Sequence, residues 1–314
     1  MAKLSFKGEI LLCEDNAMNR ELIIKRLAKA GLKTAVAENG KDGVALVEQR
    51  MKNKMKPFDL ILMDILMPVM NGLEASDAIR ALNAGTPIIA VSPNCGPDDV
   101  KNYLAHGMSG CLNKPFTSQE LQSCLSQYLE YAEAGRIAET RDDEAFEQKI
   151  INIFITNNKT LYSDIVNALN GGDIKLAHRL AHTLKSNAGI LGKTRLQQAA
   201  GNVEMLLVNN ENRTDEHTLN ALKTELSAVL NEYAALTRET PEGARAPAAP
   251  PDSDGVLALF NELESLLYGG DVSCLDLTER LRDIPGSAEL IRRIEYCEFN
   301  AALDTLALLK REWS

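Results

Sequence analysis

Between residues 8 and 132 the chain repeats one pattern five times: a short apolar run followed by an amphipathic stretch. The runs are "EILLC", "KTAVAE", "LILMD", "PIIAVS" and "GCLNKP", and between them lie helical periods such as "AMNRELIIKRLAKAG" and "QELQSCLSQYLEYA". Unbroken apolar runs suit strands buried on both faces. Their alternation with amphipathic helices predicts an α/β unit, a parallel sheet of five strands with helices on both sides. In such open sheets the ligand crevice lies beyond the carboxyl ends of the strands.

The residues at those ends are chemically unusual as a set. The first strand ends in Glu14 and Asp15, and the third in Asp64. Three carboxylates converging on one sheet edge repel one another and are costly unless a cation sits among them. Mg²⁺ suits such a place, with oxygen ligands, octahedral geometry and retained waters open to a phosphate. The fourth strand ends in Ser92, a hydroxyl donor, and the fifth in Lys114, a compact cation able to reach a phosphoryl oxygen. A carboxylate nucleophile so surrounded suits phosphoryl transfer, which needs mainly positioning and charge neutralisation. Any one of these residues alone reads as an ordinary turn or cap; the reading rests on their combination.

The stretches "CEDNAMNR", "LILMDILMPVMNGLEA", "PIIAVSPN" and "GCLNKPF" resemble the four landmark motifs of a response-regulator receiver domain, covering residues 8–132. The resemblance implies a flavodoxin-like fold with Asp64 as phosphoryl acceptor. It implies that Glu14, Asp15, Asp64 and the backbone carbonyl of Leu66 hold Mg²⁺. By the same resemblance Ser92 is the switch hydroxyl, Lys114 pairs with the phosphoryl oxygens, and Lys114–Pro115 is a cis peptide. Gly72 follows the strand-three loop, where the family also has glycine. Asn16 and Asn19, in "EDNAMN", are similar to the form found in receivers of hybrid histidine kinases. One position departs: many receivers carry an aromatic three residues before the lysine, and here that residue is Cys111.

From about 143 to 238 the strand signals vanish and periods near 3.6 take over, roughly at 145–157, 159–170, 174–191, 193–209 and 215–237. This predicts an all-α bundle. Residues 239–255, "ETPEGARAPAAPPDSDG", read as an extended linker rich in Pro and Ala. Residues 256–314 are again amphipathic and helical. "LNGGDIKLAHRLAHTLK" at 169 and "LYGGDVSCLDLTERLR" at 267 share an L-x-G-G-D turn and, with a one-residue gap, the following apolar positions. The tail therefore resembles a degenerate copy of part of the bundle, with Glu279 or Arg280 where the first copy has His182. The Gly-Gly-Asp triplets lead into helical patterns, which excludes the hairpin of a diguanylate cyclase signature.

The stretch "LAHRLAHTLKSNAGILG" carries His178 and His182. On a helical wheel Ala177, Leu180, Ala181, Leu184, Ala188 and Leu191 form an apolar stripe. His182, Ser186 and Gly189 lie opposite, with His178 and Lys185 at the flank. His182 is thus expected to face solvent, with Lys185 one turn on to neutralise phosphate charge. A zinc reading fails for want of a third ligand, and Arg179 stands where the zincin pattern requires Glu. A plain surface residue is the better reading of His178. For His182 the favoured reading is a nucleophilic imidazole that forms a phosphoramidate. "AHTLKSNAGILG" resembles the signature of histidine phosphotransfer (HPt) domains, with Ser186 in place of the usual glycine after the lysine.

Charge and composition narrow the remainder. A net charge of −10 argues against a nucleic-acid surface. No apolar run is long enough to span a bilayer. The six cysteines, 13, 95, 111, 124, 274 and 297, form no C-x-x-C pair, so reduced thiols in a cytoplasmic chain are expected. There are no Gly-rich ATP-binding boxes, so nothing suggests that the chain takes phosphate from ATP; no organic cofactor is expected beside Mg²⁺. The expected arrangement is a receiver over 1–135, an HPt bundle over 143–238, a linker over 239–255 and a helical tail over 256–314. It resembles the carboxy-terminal part of a hybrid histidine kinase, and "FKGEILLCEDN" resembles sequence that follows a kinase module. The expected partners are a histidine kinase, in cis or in trans, and the receiver of a downstream response regulator. A stand-alone phosphate sink and a non-catalytic docking scaffold are the alternatives.

Overall fold

The computed structural model of the protein describes residues 5–82, 85–132, 143–237, 253–295 and 297–313. The chain divides into two compact units, Met1–Thr140 with Pro247–Ser314, and Arg141–Ala246. The expected linker at 239–255 lies outside the described residues except for its last three, which already belong to a helix.

In the first unit the elements alternate as β1 (Glu9–Cys13), α1 (Ala17–Lys29), β2 (Lys33–Ala37), α2 (Gly40–Lys52), β3 (Leu60–Asp64), α3 (Gly72–Ala81), β4 (Ile88–Ser92), α4 (Pro97–Ala105), β5 (Gly110–Asn113) and α5 (Ser118–Leu125). The strands form a five-stranded parallel sheet in the order β2-β1-β3-β4-β5. The central strands β3 and β4 are buried along their whole length, as their unbroken apolar sequence requires. Helices start where short polar side chains satisfy free N–H groups: Asn16 caps α1, Asn39 caps α2, and Asn71 with Glu74 makes a capping box on α3. Gly72 is required because a Cβ there would run into the Asp64 carbonyl oxygen.

Helix α5 is shorter than the periodicity of 119–132 predicts. After Leu125 the chain turns back, and Tyr131 pairs antiparallel with Phe6, their rings stacked at 5.2 Å. The amide of Ala132 donates to the Ser5 carbonyl at 2.8 Å, so backbone pairing with the amino-terminal segment replaces the last helical turns.

The tail comprises α11 (Ser253–Tyr268), a 3₁₀ turn at Val272–Leu277, then α12 (Thr278–Leu281), α13 (Ala288–Glu295) and α14 (Phe299–Trp313), all four numbered after the helices of the second unit given below. Its Phe260, Leu263, Leu281, Leu290, Ile294 and Leu306 share one apolar cluster with Ile10, Leu12, Ile24 and Leu27 of the α/β part. Burial of large apolar side chains like these stabilises by roughly 1.5–3 kcal/mol each, which binds tail and sheet into one unit. Polar contacts set the register: Val36 N–H donates to the Gly270 carbonyl at 2.7 Å, and Asn300 Nδ2 donates to Asp42 Oδ2 at 2.8 Å. This engagement with the edge strand β2 accounts for the difference between the two Gly-Gly-Asp segments. The first opens a 17-residue helix; the second opens the 3₁₀ turn and the four-residue α12.

The second unit is helical: α6 (Asp143–Asn158), α7 (Leu161–Asn170), α8 (Ile174–Ile190), α9 (Thr194–Leu206) and α10 (Glu216–Thr237), close to the predicted spans. Asp173 caps α8 by accepting from Leu176 N–H at 3.0 Å. Ala177, Ala181, Leu184 and Ala188 of α8 and Leu196, Ala200 and Val203 of α9 are buried, and the small alanines let these helices pack closely.

Candidate functional sites

The parallel sheet brings the carboxyl ends of β1, β3, β4 and β5 to one edge. There Glu14, Asp15 and Asp64 each offer a carboxylate oxygen, and these oxygens lie within 4.8 Å of one another. Lys114 Nζ bridges two of them, 2.7 Å from Glu14 Oε2 and 2.8 Å from Asp64 Oδ2. Leu66 N–H donates to Asp64 Oδ1 at 3.1 Å, fixing the aspartate at the start of its loop. Asn19 Nδ2 donates to Glu14 Oε1 at 3.1 Å, a placement the sequence did not reveal. Beneath the loop the buried Arg20 guanidinium donates to the backbone carbonyls of Glu14 at 2.9 Å and Asp15 at 3.2 Å. The Lys114–Pro115 peptide is cis.

Burial pushes the Glu14 carboxyl up; Lys114 pulls it down, and the nearby Asp64 adds to the rise. Burial works to lower the Lys114 ammonium, but Glu14 and Asp64 outweigh it and hold the group well above its ordinary value. The ammonium is therefore a permanent cation at neutral pH. Three hard oxygen donors at this spacing fit a small divalent cation such as Mg²⁺.

Ser92 is buried at the end of β4. Its Oγ accepts from Asn94 N–H at 3.2 Å and lies 3.0 Å from the Tyr103 hydroxyl, which is also 2.9 Å from the Asn94 carbonyl. Tyr103, on α4, was not singled out by sequence; its only signal is that it is the one aromatic on that helix. Cys111 occupies the position where an aromatic was missing, and it is joined to Cys95 in a disulfide. This overturns the expectation of six reduced thiols. The parallel register of β4 and β5 sets Cys111 opposite Ala90 and Ser92 opposite Asn113, so the loop after β4 folds back along the sheet edge for Cys95 to meet Cys111. Cys13, Cys124, Cys274 and Cys297 take part in no disulfide, and Cys297 Sγ donates to Glu21 Oε1 at 3.1 Å.

On α8, His182 is not simply solvent-facing: its side chain is 22% exposed, and its Nδ1 lies 2.6 Å from Glu204 Oε1 on α9. Lys185 Nζ, on a side chain 43% exposed, meets the other oxygen, Glu204 Oε2, at 2.9 Å. Burial alone pushes the Glu204 carboxyl up, but hydrogen bonds from His182 and Lys185 outweigh it and bring it down to about 2. A carboxylate only accepts, so Nδ1 is the donor in this pair, and in the uncharged form of the ring the lone pair lies on Nε2. His178, one turn earlier, is half-buried, and burial pushes its imidazole down. Sequence reasoning missed Glu204. Its signal is an acid eight residues after Leu196, at the margin of the apolar stripe of α9.

A phosphoacceptor-type α/β edge and a helix-borne histidine together define a two-component signalling chain. The response regulator receiver domain model matches residues 10–126, and the Hpt domain model matches 149–232. The two-component response regulator ORR41 of Oryza sativa subsp. japonica is 38% identical over 121 residues, 38% of this chain and 92% of that protein. The chain belongs to the response-regulator receiver family and carries an Hpt domain behind its receiver, a combination that makes it part of a two-component phosphorelay. The sensor histidine kinase AruS of Pseudomonas aeruginosa is 31% identical over 211 residues, 62% of this chain and 20% of the kinase. The chain thus spans about a fifth of the length of the longer curated relatives that it matches. Among solved structures it is similar to the receiver domain of sensor histidine kinase PA1611 from Pseudomonas aeruginosa PAO1, which has a magnesium ion coordinated in its active site cleft. That likeness has 36% identity and a TM-score of 0.35, covering 38% of this chain and 96% of that one. No described helix is long and apolar enough to cross a membrane.

Proposed function

We propose that the chain is an intermediate station of the phosphorelay: Asp64 accepts a phosphoryl group from a kinase phosphohistidine, and His182 receives it in turn for delivery to the aspartate of a downstream response regulator. The observation that carries this reading is the pair of preformed constellations, Lys114 across Glu14 and Asp64, and Glu204 across His182 and Lys185.

In the first step an Asp64 carboxylate oxygen attacks the phosphorus and the donor imidazole leaves. Lys114 stands ready to neutralise phosphoryl oxygens, since its ammonium already contacts Asp64. Ser92 supplies a hydroxyl once released from Tyr103 and Asn94. Glu14, Asp15 and Asp64, with the Leu66 carbonyl, would hold Mg²⁺, which when bound supplies charge neutralisation at the phosphoryl oxygens. In the second step His182 Nε2 attacks the phosphorus of the acyl phosphate and the Asp64 carboxylate leaves. Glu204 holds the Nδ1 proton throughout, and Lys185 is exposed enough to turn toward the transferred group. The kinase acts in cis or in trans.

The test is incubation with acetyl phosphate and Mg²⁺, following acid-labile phosphohistidine in the wild type, Asp64→Asn and His182→Gln. The expected result is phosphohistidine in the wild type alone, with acyl phosphate retained by His182→Gln. Labelling of Asp64 without any labelling of His182 would reduce the bundle to a docking module.

A further inference from the structure

We propose that Cys95 and Cys111 form a reversible thiol–disulfide site that, when oxidised, clamps the loop after β4 to β5 and holds the Ser92 hydroxyl away from Asp64. The consequence for phosphoryl uptake rests on the reading of Asp64 as acceptor; the covalent site does not.

The geometry is that of a bond able to form and open without rebuilding the fold. The two Cα atoms are 6.0 Å apart, within the usual disulfide range. The sequence separation is 16, so closure joins one local segment and leaves the rest of the unit as it is. Both residues are half-buried and open to small reagents, whereas Cys13, Cys274 and Cys297 are fully covered. Burial also pushes the Cys124 thiol up to about 11 and the Cys274 thiol to about 12, which leaves them poor thiolates.

Position gives the bond its meaning. Cys95 lies three residues after Ser92, and Cys111 lies three residues before Lys114. The crosslink therefore ties the loop that follows Ser92 to β5, the strand that leads into Lys114. In the oxidised form seen here, Ser92 Oγ sits against the Tyr103 hydroxyl at 3.0 Å and the Asn94 amide at 3.2 Å. Ser92 Oγ accepts in both contacts; on this proposal the bond keeps Asn94 and Tyr103 seated against it, and turning the hydroxyl toward Asp64 calls for movement of the Pro93–Gly96 backbone that the bond restrains. With Cys111 in place of an aromatic at this point of β5, the covalent state of the pair takes over control of the switch loop.

The chemistry balances with a small disulfide of the glutathione class as oxidant. One cysteine thiolate attacks a sulfur of the small disulfide, releasing one small thiolate and leaving a mixed disulfide on the protein. The second cysteine thiolate then displaces the remaining small thiolate. Two protein thiols are oxidised, one small disulfide is reduced to two thiols, and the cysteine protons pass to the released thiolates.

The full chain is equilibrated in buffers of graded reduced-to-oxidised glutathione, quenched, denatured and alkylated, and the mass is read. The expected count falls from six alkyl groups when reduced to four when oxidised, because four thiols lie outside the bond. The initial rate of Asp64 labelling by acetyl phosphate with Mg²⁺ is then compared. The oxidised wild type is expected to be slower by about fivefold or more, the lower end of ordinary coupling between sites. Cys95→Ser, and Cys111→Ser as a second variant, are expected to label at one rate whatever the buffer. Six alkyl groups in every buffer, or four that persist under native reduction, overturns the reversible site. Equal rates for the two forms overturn the clamp. If neither form is labelled, the acceptor reading has failed, and hydrogen exchange decides instead: slower exchange of the Asn94–Gly96 amides on oxidation upholds the clamp, and unchanged exchange overturns it.

Discussion

Glu204→Ala isolates the contribution of one carboxylate to the histidine site. In the wild type this group accepts from His182 Nδ1 at 2.6 Å and from Lys185 Nζ at 2.9 Å. A hydrogen bond to a charged group contributes about 1.5–3 kcal/mol. The Glu204 side chain is 14% exposed and that of Lys185 is 43% exposed, so the low end of the range applies to the first bond and about 0–1 kcal/mol to the second. A preference of about 1.5 kcal/mol for the proton on Nδ1 amounts to roughly a tenfold bias between tautomers. Removing the carboxylate erases that bias. The Nε2 lone pair is then partly occupied by a proton, and Lys185 loses the anchor that keeps it beside the imidazole. Long-range ¹H–¹⁵N spectra of His182 are expected to show the Nδ1–H tautomer in the wild type and a mixture in Glu204→Ala. Phosphohistidine should form about tenfold more slowly in the variant, and the conservative Glu204→Gln, which keeps an acceptor oxygen, should fall between the two. Unchanged tautomer populations in a variant of wild-type helicity would refute the orienting role outright.

Two further outcomes follow from the packing and the charges. The Glu204 carboxyl is held down to about 2 from its ordinary 4.5, so its contribution to stability is complete above pH 4.5 and is lost as pH falls through about 2. Acid titration of the bundle followed by circular dichroism should accordingly show a loss of stability in that window that Glu204→Gln lacks. Gly270 has φ of +63°, and a Cβ there would lie 2.5 Å from the Val36 carbonyl oxygen, so Gly270→Val should destabilise the first unit by about 2–4 kcal/mol in urea titration. Wild-type stability in that variant would mean that the tail does not dock through this turn.

What the sequence disclosed followed from how far each feature reaches along the chain. Buried parallel strands are continuous apolar words, and parallelism sends every carboxyl end to the same edge. Glu14, Asp15, Asp64, Ser92 and Lys114 could therefore be gathered from four short runs without any knowledge of side-chain packing. The helices of the bundle were legible for the same reason, since a 3.6 period is local. Relations between elements were not. Glu204 reaches His182 only through the register of α9 on α8, across 22 residues. Tyr103 reaches Ser92 only through the tilt of α4, and Cys95 meets Cys111 only through the offset of a loop against β5. The tail shows the same limit. Its stripes announced a buried face, but nothing in them specified β2, α1 and α2 as the surface that covers it.

The two sites also differ in charge, and on the proposed reading this gives the relay its chemical logic. At the sheet edge one ammonium stands among three carboxylates, an excess of negative charge that favours a divalent cation before a phosphoryl group can be tolerated. On α8 one carboxylate stands between an ammonium and an imidazole, so its charge is met by side chains without any metal. A phosphoryl group arriving on Nε2 brings new negative charge beside Glu204, which favours transfer of Lys185 from the carboxylate to the phosphoryl oxygens. Glu204 then keeps a single partner, the Nδ1 proton, and its attraction for that proton grows as the imidazole takes on positive character. The aspartate site is thus arranged to depend on a cation supplied from solution, and the histidine site to rearrange the charges it already has.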